Sequence, residues 1–298
     1  MTETVLVVGA SGFLGRSVVE RLRAGDGRDS DDGGADRRVL GTYCSTPSPA
    51  ASVQFDFWTD DVGSLVDEHE VDTVVFTAAV EYGGDVDTGE SDVDASFERR
   101  AERFAARCAD VRLVYMSSAA VFDGRDSRYA ESAPRSPRDA YGRRLVAFED
   151  AVDEHCEDAA VLRTSYLFGF SRGELDHRLA RTRAHLDRGE SVAYFTDMYK
   201  SPVLVTEAAE SVAALARGAA TGVVHVPTPR VSVYEFHCEA MRALGYDPGP
   251  IERDRIPTDM DVAPDTSLSS DRFREVVGFE PAAVAPALRS QGDGTESE

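Results

Sequence analysis

Residues 4–15 read Thr4-Val5-Leu6-Val7-Val8-Gly9-Ala10-Ser11-Gly12-Phe13-Leu14-Gly15. An apolar, β-branched run stops at a glycine, and beyond it apolar side chains recur at Phe13, Leu14, Val18, Val19 and Leu22. The first pattern predicts a buried strand and the second an amphipathic helix over 13–24, joined by a tight turn. Three glycines in a GxxGxxG spacing occupy that turn. Gly9 permits the sharp change of direction, Gly12 lets a ligand approach the backbone, and Gly15 lets the helix lie close on the strand. A helix that opens in this way offers free N–H groups to a diphosphate, so the stretch predicts a dinucleotide site.

The rhythm continues outward from this turn. Strands are expected at 39–43, 53–55, 73–77, 112–117 and 160–164, with helices at 61–69, 93–109 and 139–156 between them. Such alternation implies right-handed crossovers and a parallel sheet. The expected fold class is therefore α/β: a Rossmann-type doubly wound parallel sheet with a smaller C-terminal α/β substrate-binding region. Residues 1–164 form the dinucleotide-binding domain in this reading, with 201–226 returning to it. Residues 165–286 form the second region, with helices at 174–188, 206–216 and 232–244, and 287–298 a disordered tail. Residues 25–38 are rich in Gly and Asp and read as a solvated loop insertion.

Composition narrows the partners. The chain has 298 residues and a net charge of −22, with 54 Asp and Glu against 32 Lys and Arg. An acidic surface repels phosphate backbones and anionic membranes, so neither nucleic acid nor membrane is an expected partner. Lys200 is the single lysine. Carboxylates in such excess, with so little lysine, predict a protein adapted to a salty cytoplasm, where screening reaches to roughly 3 Å at 1 M salt. No apolar run is long enough to span a bilayer, and the N-terminus has no signal-peptide pattern. The four cysteines are widely spaced, which predicts neither a zinc site nor a disulfide framework. Nor do the six histidines have metal-ligand spacing.

The end of the second strand is where the ribose is selected. It reads Gly41-Thr42-Tyr43-Cys44-Ser45-Thr46 and carries no acid to hold a 2′-hydroxyl. No clear arginine clamp for a 2′-phosphate is present either, although Arg16 could reach, and NADP is favoured over NAD. Asp56 reads equally as an adenine contact or as a turn-capping residue. Ser11, Phe13 and Leu14 in the turn, with Thr42, Phe57 and Ser117, complete the cofactor set expected around Gly9, Gly12 and Gly15.

Further motifs follow in order: TAAV at 77–80, SSAAVFDG at 117–124, YAE at 129–131, YG at 141–142, RTSYLFG at 163–169, KSP at 200–202 and VSVYEF at 231–236. Together with GASGFLG at 9–15 and GTYCST at 41–46, they resemble the extended short-chain dehydrogenase/reductase superfamily. Within it the chain is most similar to the dTDP-4-dehydrorhamnose reductase, or RmlD-like substrate-binding, family. The resemblance implies reduction of a nucleotide-linked 4-keto sugar by NADP or NAD. It implies Tyr141 as general acid and Ser118 as a hydrogen-bond partner of the same keto oxygen. Thr77, Ala78 and Ala79 would lie along the cofactor, and Ser165 and Tyr166 near the sugar. A nucleotide sugar is the expected partner, and a homodimer the oligomeric expectation.

Two positions depart from the family pattern. Leu145 stands four residues after Tyr141, where a lysine is expected to bind the ribose and lower the tyrosine pKa from ~10. Arg144 neighbours Tyr141 at i+3 and could supply that charge, though a guanidinium fork is no equivalent of an ammonium. Thr77 stands where asparagine is usual. Two other readings remain open: a binding protein of the same fold, as in the regulatory subunit of methionine adenosyltransferase, and a sugar-nucleotide epimerase or dehydratase.

Overall fold

The computed structural model describes residues 2–25, 37–82 and 93–292. The chain divides into two compact units. The first comprises Met1–Ser117, Asp139–Leu162 and Ala209–Val224, and the second Ser118–Arg138, Arg163–Ala208 and His225–Glu298.

The first unit is built on β1 (Glu3–Val8), α1 (Phe13–Ala24), β2 (Arg37–Tyr43), β3 (Val53–Gln54), α2 (Val62–His69), β4 (Thr73–Phe76), α3 (Val93–Arg107), β5 (Arg112–Ser118), α4 (Ala140–His155) and β6 (Ala159–Thr164). With the strand Gly222–His225 at one edge, they form a seven-stranded sheet in the order 222–225, β6, β5, β4, β1, β2, β3. The neighbours β1–β2, β1–β4, β4–β5 and β2–β3 are all parallel. A parallel sheet needs cover on both faces, which is why its strands read as continuous apolar runs. Val5, Leu6 and Val7 of β1 and Val74, Val75 and Phe76 of β4 are fully buried. The expected doubly wound α/β architecture is the one observed.

An aromatic core lies among β4, β5, α3 and α4. Phe57, Phe76, Phe97, Phe104 and Phe148 form a continuous set of ring contacts, and the Tyr115 ring stacks on Phe148 at 4.3 Å. Removing a ring such as Phe148, which is wholly inaccessible, would cost about 3–5 kcal/mol. Caps fix where the helices begin. Asp61 accepts from the Gly63 N–H ahead of α2, and Asp139 accepts from the Gly142 N–H ahead of α4.

The second unit departs from the expected boundaries. Residues 118–138, read with the first domain, belong to it. So do 201–208, and only Ala209–Val224 returns to the sheet unit. Its core gathers Phe168, Leu179, Tyr194, Leu204, Phe236, Met241, Ile251 and Leu288. The helix expected at 174–188 spans only His177–Asp187, because the Asp176 carboxylate caps it and two short strands precede it. The strand Val192–Phe195 pairs in parallel with Ile251–Asp254, an element the sequence reading missed. The tail reading also needs correction. Val284–Gly292 is a helix with Ala287 and Leu288 buried, since its apolar residues sit on one helical face. Residues 293–298 and most of the 25–38 insertion lie outside the described residues. Among the described residues no helix is long and apolar enough to cross a membrane.

Candidate functional site

The glycine turn is built for close approach. Gly9 has φ +85°, and a Cβ there would lie 2.6 Å from the backbone of Ala78. A Cβ on Gly15 would come within 2.1 Å of the Gly9 carbonyl oxygen. Both positions therefore require glycine, for the reasons read from the motif. The turn is locked by Gly12 N–H donating to the Gly9 carbonyl at 3.0 Å and by Gly9 N–H donating to Thr42 Oγ1 at 3.1 Å. Thr42 is buried, and its hydroxyl holds the turn from the adjacent strand. Thr77 does the same from β4, donating to the Val8 carbonyl at 2.9 Å through its hydroxyl. Ala78 and Ala79 follow it directly.

The start of α1 has a chemistry suited to an anion. Gly12 is its N-cap and supplies no side-chain oxygen, and the first turn carries no acid. Ser11 and Gly12 are exposed, whereas Leu14 is buried and Phe13 half-buried. The N–H groups at the helix start thus keep their donor capacity, and the helix dipole adds partial positive charge. These residues fit a dinucleotide diphosphate. Arg16 lies over the Phe13 ring at 5.8 Å.

Two cofactor candidates, Asp56 and Phe57, have structural roles of their own. The Asp56 carboxylate accepts from Trp58 N–H at 2.9 Å, the geometry of a turn-capping residue. The Phe57 ring is buried in the aromatic core, so only its backbone could serve a ligand. The Trp58 ring packs against Phe57 and Phe97.

Tyr141 stands in the first turn of α4, positioned by the Asp139 cap at 2.7 Å from Gly142 N–H. Leu145, one turn on, is 1% exposed and is a core residue. The Arg144 guanidinium is neither a solvated group nor an uncommitted charge. Its Nε donates to Asp94 Oδ1 at 2.8 Å and one Nη to the Glu81 carbonyl at 2.8 Å. It therefore ties α4 to α3 and to the turn after β4.

Sequence reading missed a buried acidic pair in the same unit. Glu81 Oε1 accepts from the hydroxyl of Tyr115 at 2.9 Å, and Glu149 Oε1 accepts from Ser117 Oγ at 2.5 Å. Burial pushes the Glu81 carboxyl up to about 7, against the opposing effects of backbone and Tyr115 hydrogen bonds and the Arg144 charge. The Tyr115 hydroxyl is raised as well, first by burial and then by the facing Glu81. The Ser117 hydroxyl, a cofactor candidate, is committed to Glu149. The helical spacing of Tyr141, Leu145 and Glu149 was the available signal, since i, i+4 and i+8 share a face.

The second unit carries the other candidates. Ser118 Oγ accepts from Ala120 N–H at 3.3 Å, which leaves its own proton to donate. Ser165 Oγ accepts from Ser201 N–H at 3.3 Å. The Tyr166 ring packs edge-on against Phe236 at 6.2 Å. His225 and His237 are buried and hydrogen-bonded, and burial pushes His237 down to about 3, so it stays neutral. Among the described residues no group of three or more His, Cys, Asp or Glu could hold a metal ion.

Comparison with known proteins places the whole chain in a family. The profile of the RmlD substrate binding domain matches residues 3–293. A dTDP-4-keto-6-deoxy-D-glucose reductase of Streptomyces niveus is 33% identical over 267 residues, covering 86% of this chain and 85% of the relative. A probable low-salt glycan biosynthesis reductase, Agl14 of Haloferax volcanii, is 30% identical over 260 residues, with 83% and 82% coverage. Among solved structures, a dTDP-4-dehydrorhamnose reductase from Bacillus anthracis in complex with NADP superposes with a TM-score of 0.78. It is 20% identical and is covered over its whole length by 99% of this chain.

Proposed function

This chain belongs to the RmlD substrate binding domain family, and on that premise we propose that it is a nicotinamide-dependent reductase of a nucleotide-linked 4-keto sugar. The observation that carries the reading is the glycine turn at 9–15, which excludes any Cβ at Gly9 and Gly15 and opens an uncapped helix. The Streptomyces relative, similar over most of both chains, supports the substrate class. The bound nicotinamide supplies the hydride. Gly9, Ser11, Gly12, Phe13, Leu14 and Gly15 would hold its diphosphate through backbone N–H groups. Thr42 and Thr77 would set the turn, with Ala78 and Ala79 lining it. The absence of an acid after β2 supports NADP over NAD.

Tyr141 gives the proton to the keto oxygen as hydride arrives, and Ser118 donates a hydrogen bond to that oxygen. Ser165 and Tyr166 contact the sugar nucleotide. Arg144 contributes a fixed positive charge one turn along α4, but as an anchor to Asp94 and Glu81 rather than as a replacement for lysine. We place the protein in the cytoplasm, where unpaired thiols persist, as a homodimer.

A second reading is favoured by one specific observation. Leu145 fills the core where a lysine would serve the ribose, and the neighbouring guanidinium is engaged elsewhere. A cofactor-binding partner subunit would have the same features. NADPH oxidation with dTDP-4-keto-6-deoxy sugars separates the two. The reductase reading expects turnover by the natural chain and a fall in kcat of about 100-fold or more in Tyr141→Phe. NADPH binding without turnover, or turnover only in Leu145→Lys, would establish the partner reading instead.

A further inference from the structure

Three buried acidic groups, Glu81, Tyr115 and Glu149, gather where α4 and β5 meet the short helical turn Val80–Tyr82. Glu81 is gripped from two sides. Its carboxylate accepts from the Tyr115 hydroxyl of β5 at 2.9 Å, and its backbone carbonyl accepts from Arg144 of α4 at 2.8 Å. Arg144 follows Tyr141 by three residues on the same helix. The Tyr115 ring stacks on Phe148, which follows Tyr141 by seven residues and so shares its face of α4. On its other flank Glu81 comes two residues after Ala79, whose neighbour Ala78 abuts the Gly9 turn. The residue thus joins the helix of Tyr141 to the segment beside the glycine turn.

The charges about this junction are mostly of one sign. Burial raises the Tyr115 hydroxyl most, and Glu81, Glu149 and Tyr141 each raise it further. Such coupling is mutual, so a negative charge on one member makes ionisation of the others costlier. Arg144 opposes them, but its guanidinium is bonded to Asp94 of α3, which also lies 3.7 Å from Arg143. Leu145 contributes no charge. Burial brings the Glu81 carboxyl up to about 7, so it is neutral below that pH and ionised above it. As hydride reaches the keto carbon, the carbonyl pair moves onto oxygen, which takes the Tyr141 proton and leaves a phenolate. A carboxylate in the same poorly solvated cluster raises the energy of that phenolate.

We propose that Glu81 is a positioning residue for Tyr141: in its neutral form, bonded to Tyr115, it keeps its own charge out of the cluster, so that Tyr141 gives up its proton without a lysine at position 145. The role presupposes the reductase reading. A lysine would add positive charge beside the phenolate, whereas neutral Glu81 withholds a negative one. Turnover is therefore highest while Glu81 holds its proton and falls as pH rises through about 7.

The test is kcat from pH 5.5 to 9 with saturating NADPH and a dTDP-4-keto-6-deoxy sugar. The natural chain is expected to lose about fivefold or more between pH 6 and pH 8.5. Glu81→Gln is expected to lose this limb and to exceed the natural chain about fivefold at pH 8.5, and Glu81→Asp to retain a limb. Tyr115→Phe keeps the ring on Phe148 but removes the hydrogen bond that lowers Glu81, so its limb is expected at higher pH; it decides the matter should Glu81→Gln not fold. Carbon-13 labelling of tyrosine Cζ, with Tyr141→Phe identifying the resonance, follows Tyr141 in the NADP+ complex without turnover. Its titration is expected about half a unit or more lower in Glu81→Gln than in the natural chain. Absence of turnover with that shift present would remove the reductase reading and uphold the charge coupling. A limb common to the natural chain and both variants, an equal loss of kcat at every pH, or a Tyr141 titration unmoved by Glu81→Gln would overturn the role of Glu81.

Discussion

Glu81 is a carboxyl held in surroundings foreign to its residue type. It is 4% exposed, bonded to Tyr115, and held with its carboxyl near pH 7. An unfolded glutamate titrates at about 4.5. Between those values the folded state binds more protons than the unfolded one, so its contribution is fully present below about 4.5 and is lost as pH rises through about 7. The change is at most about 3 kcal/mol. Glu81→Gln keeps an acceptor for the Tyr115 hydroxyl and removes the titration. Thermal unfolding from pH 5 to pH 8 is expected to show a shallower decline for the variant than for the natural chain. Parallel curves would show that Glu81 does not titrate in this window. None of this was legible at position 81, because nothing local to Glu81 announces that Tyr115, 34 residues on, will face it. Leu145 is the opposite case. Its departure from the family pattern is visible in the sequence, and the structure added only that it is core.

At the scale of elements, the turn between β1 and α1 shows how a strand end and a helix start cooperate. Thr42 on β2 and Thr77 after β4 brace the turn from the two neighbouring strands. Gly15 lets α1 rest on the Gly9 carbonyl. Gly15→Ala would force a methyl into that oxygen, and backbone must move to admit it. The expected cost is about 1–3 kcal/mol, seen as a lower midpoint in urea, together with weaker NADPH binding by fluorescence titration. Full retention of both would show the turn to be softer than its geometry. The helices were legible almost to the residue where caps are written locally, as in the Ser232 capping box with Glu235 ahead of Val233–Ala243. The helix Val284–Gly292 was not, because its polar residues mask a short apolar face that matters only against Phe168 and Met241 in the same core.

For the molecule as a whole, charge is the dominant property. A net charge of −22 makes the folded state repel itself at low salt, and the repulsion falls as the screening length drops from about 10 Å at 0.1 M to about 3 Å at 1 M. The unfolding midpoint is expected to rise between 0.1 M and 1 M KCl, and to rise equally in NaCl. A flat response would mean that the carboxylates are compensated locally, by pairs such as Arg37–Glu3 and Arg107–Asp61.

The sequence by itself determined the parallel α/β sheet, the glycine turn, the starts of the helices with locally written caps and the family, because each is encoded in residues close along the chain: period, cap and turn chemistry. Tertiary structure alone decided where the charges went. Arg144 found Asp94, Glu81 found Tyr115, Glu149 found Ser117, and Lys200 found Thr266 and the Tyr166 ring. Pairings of this kind join residues brought together by the fold, and long polar side chains carry no periodic signature of the partner they will meet.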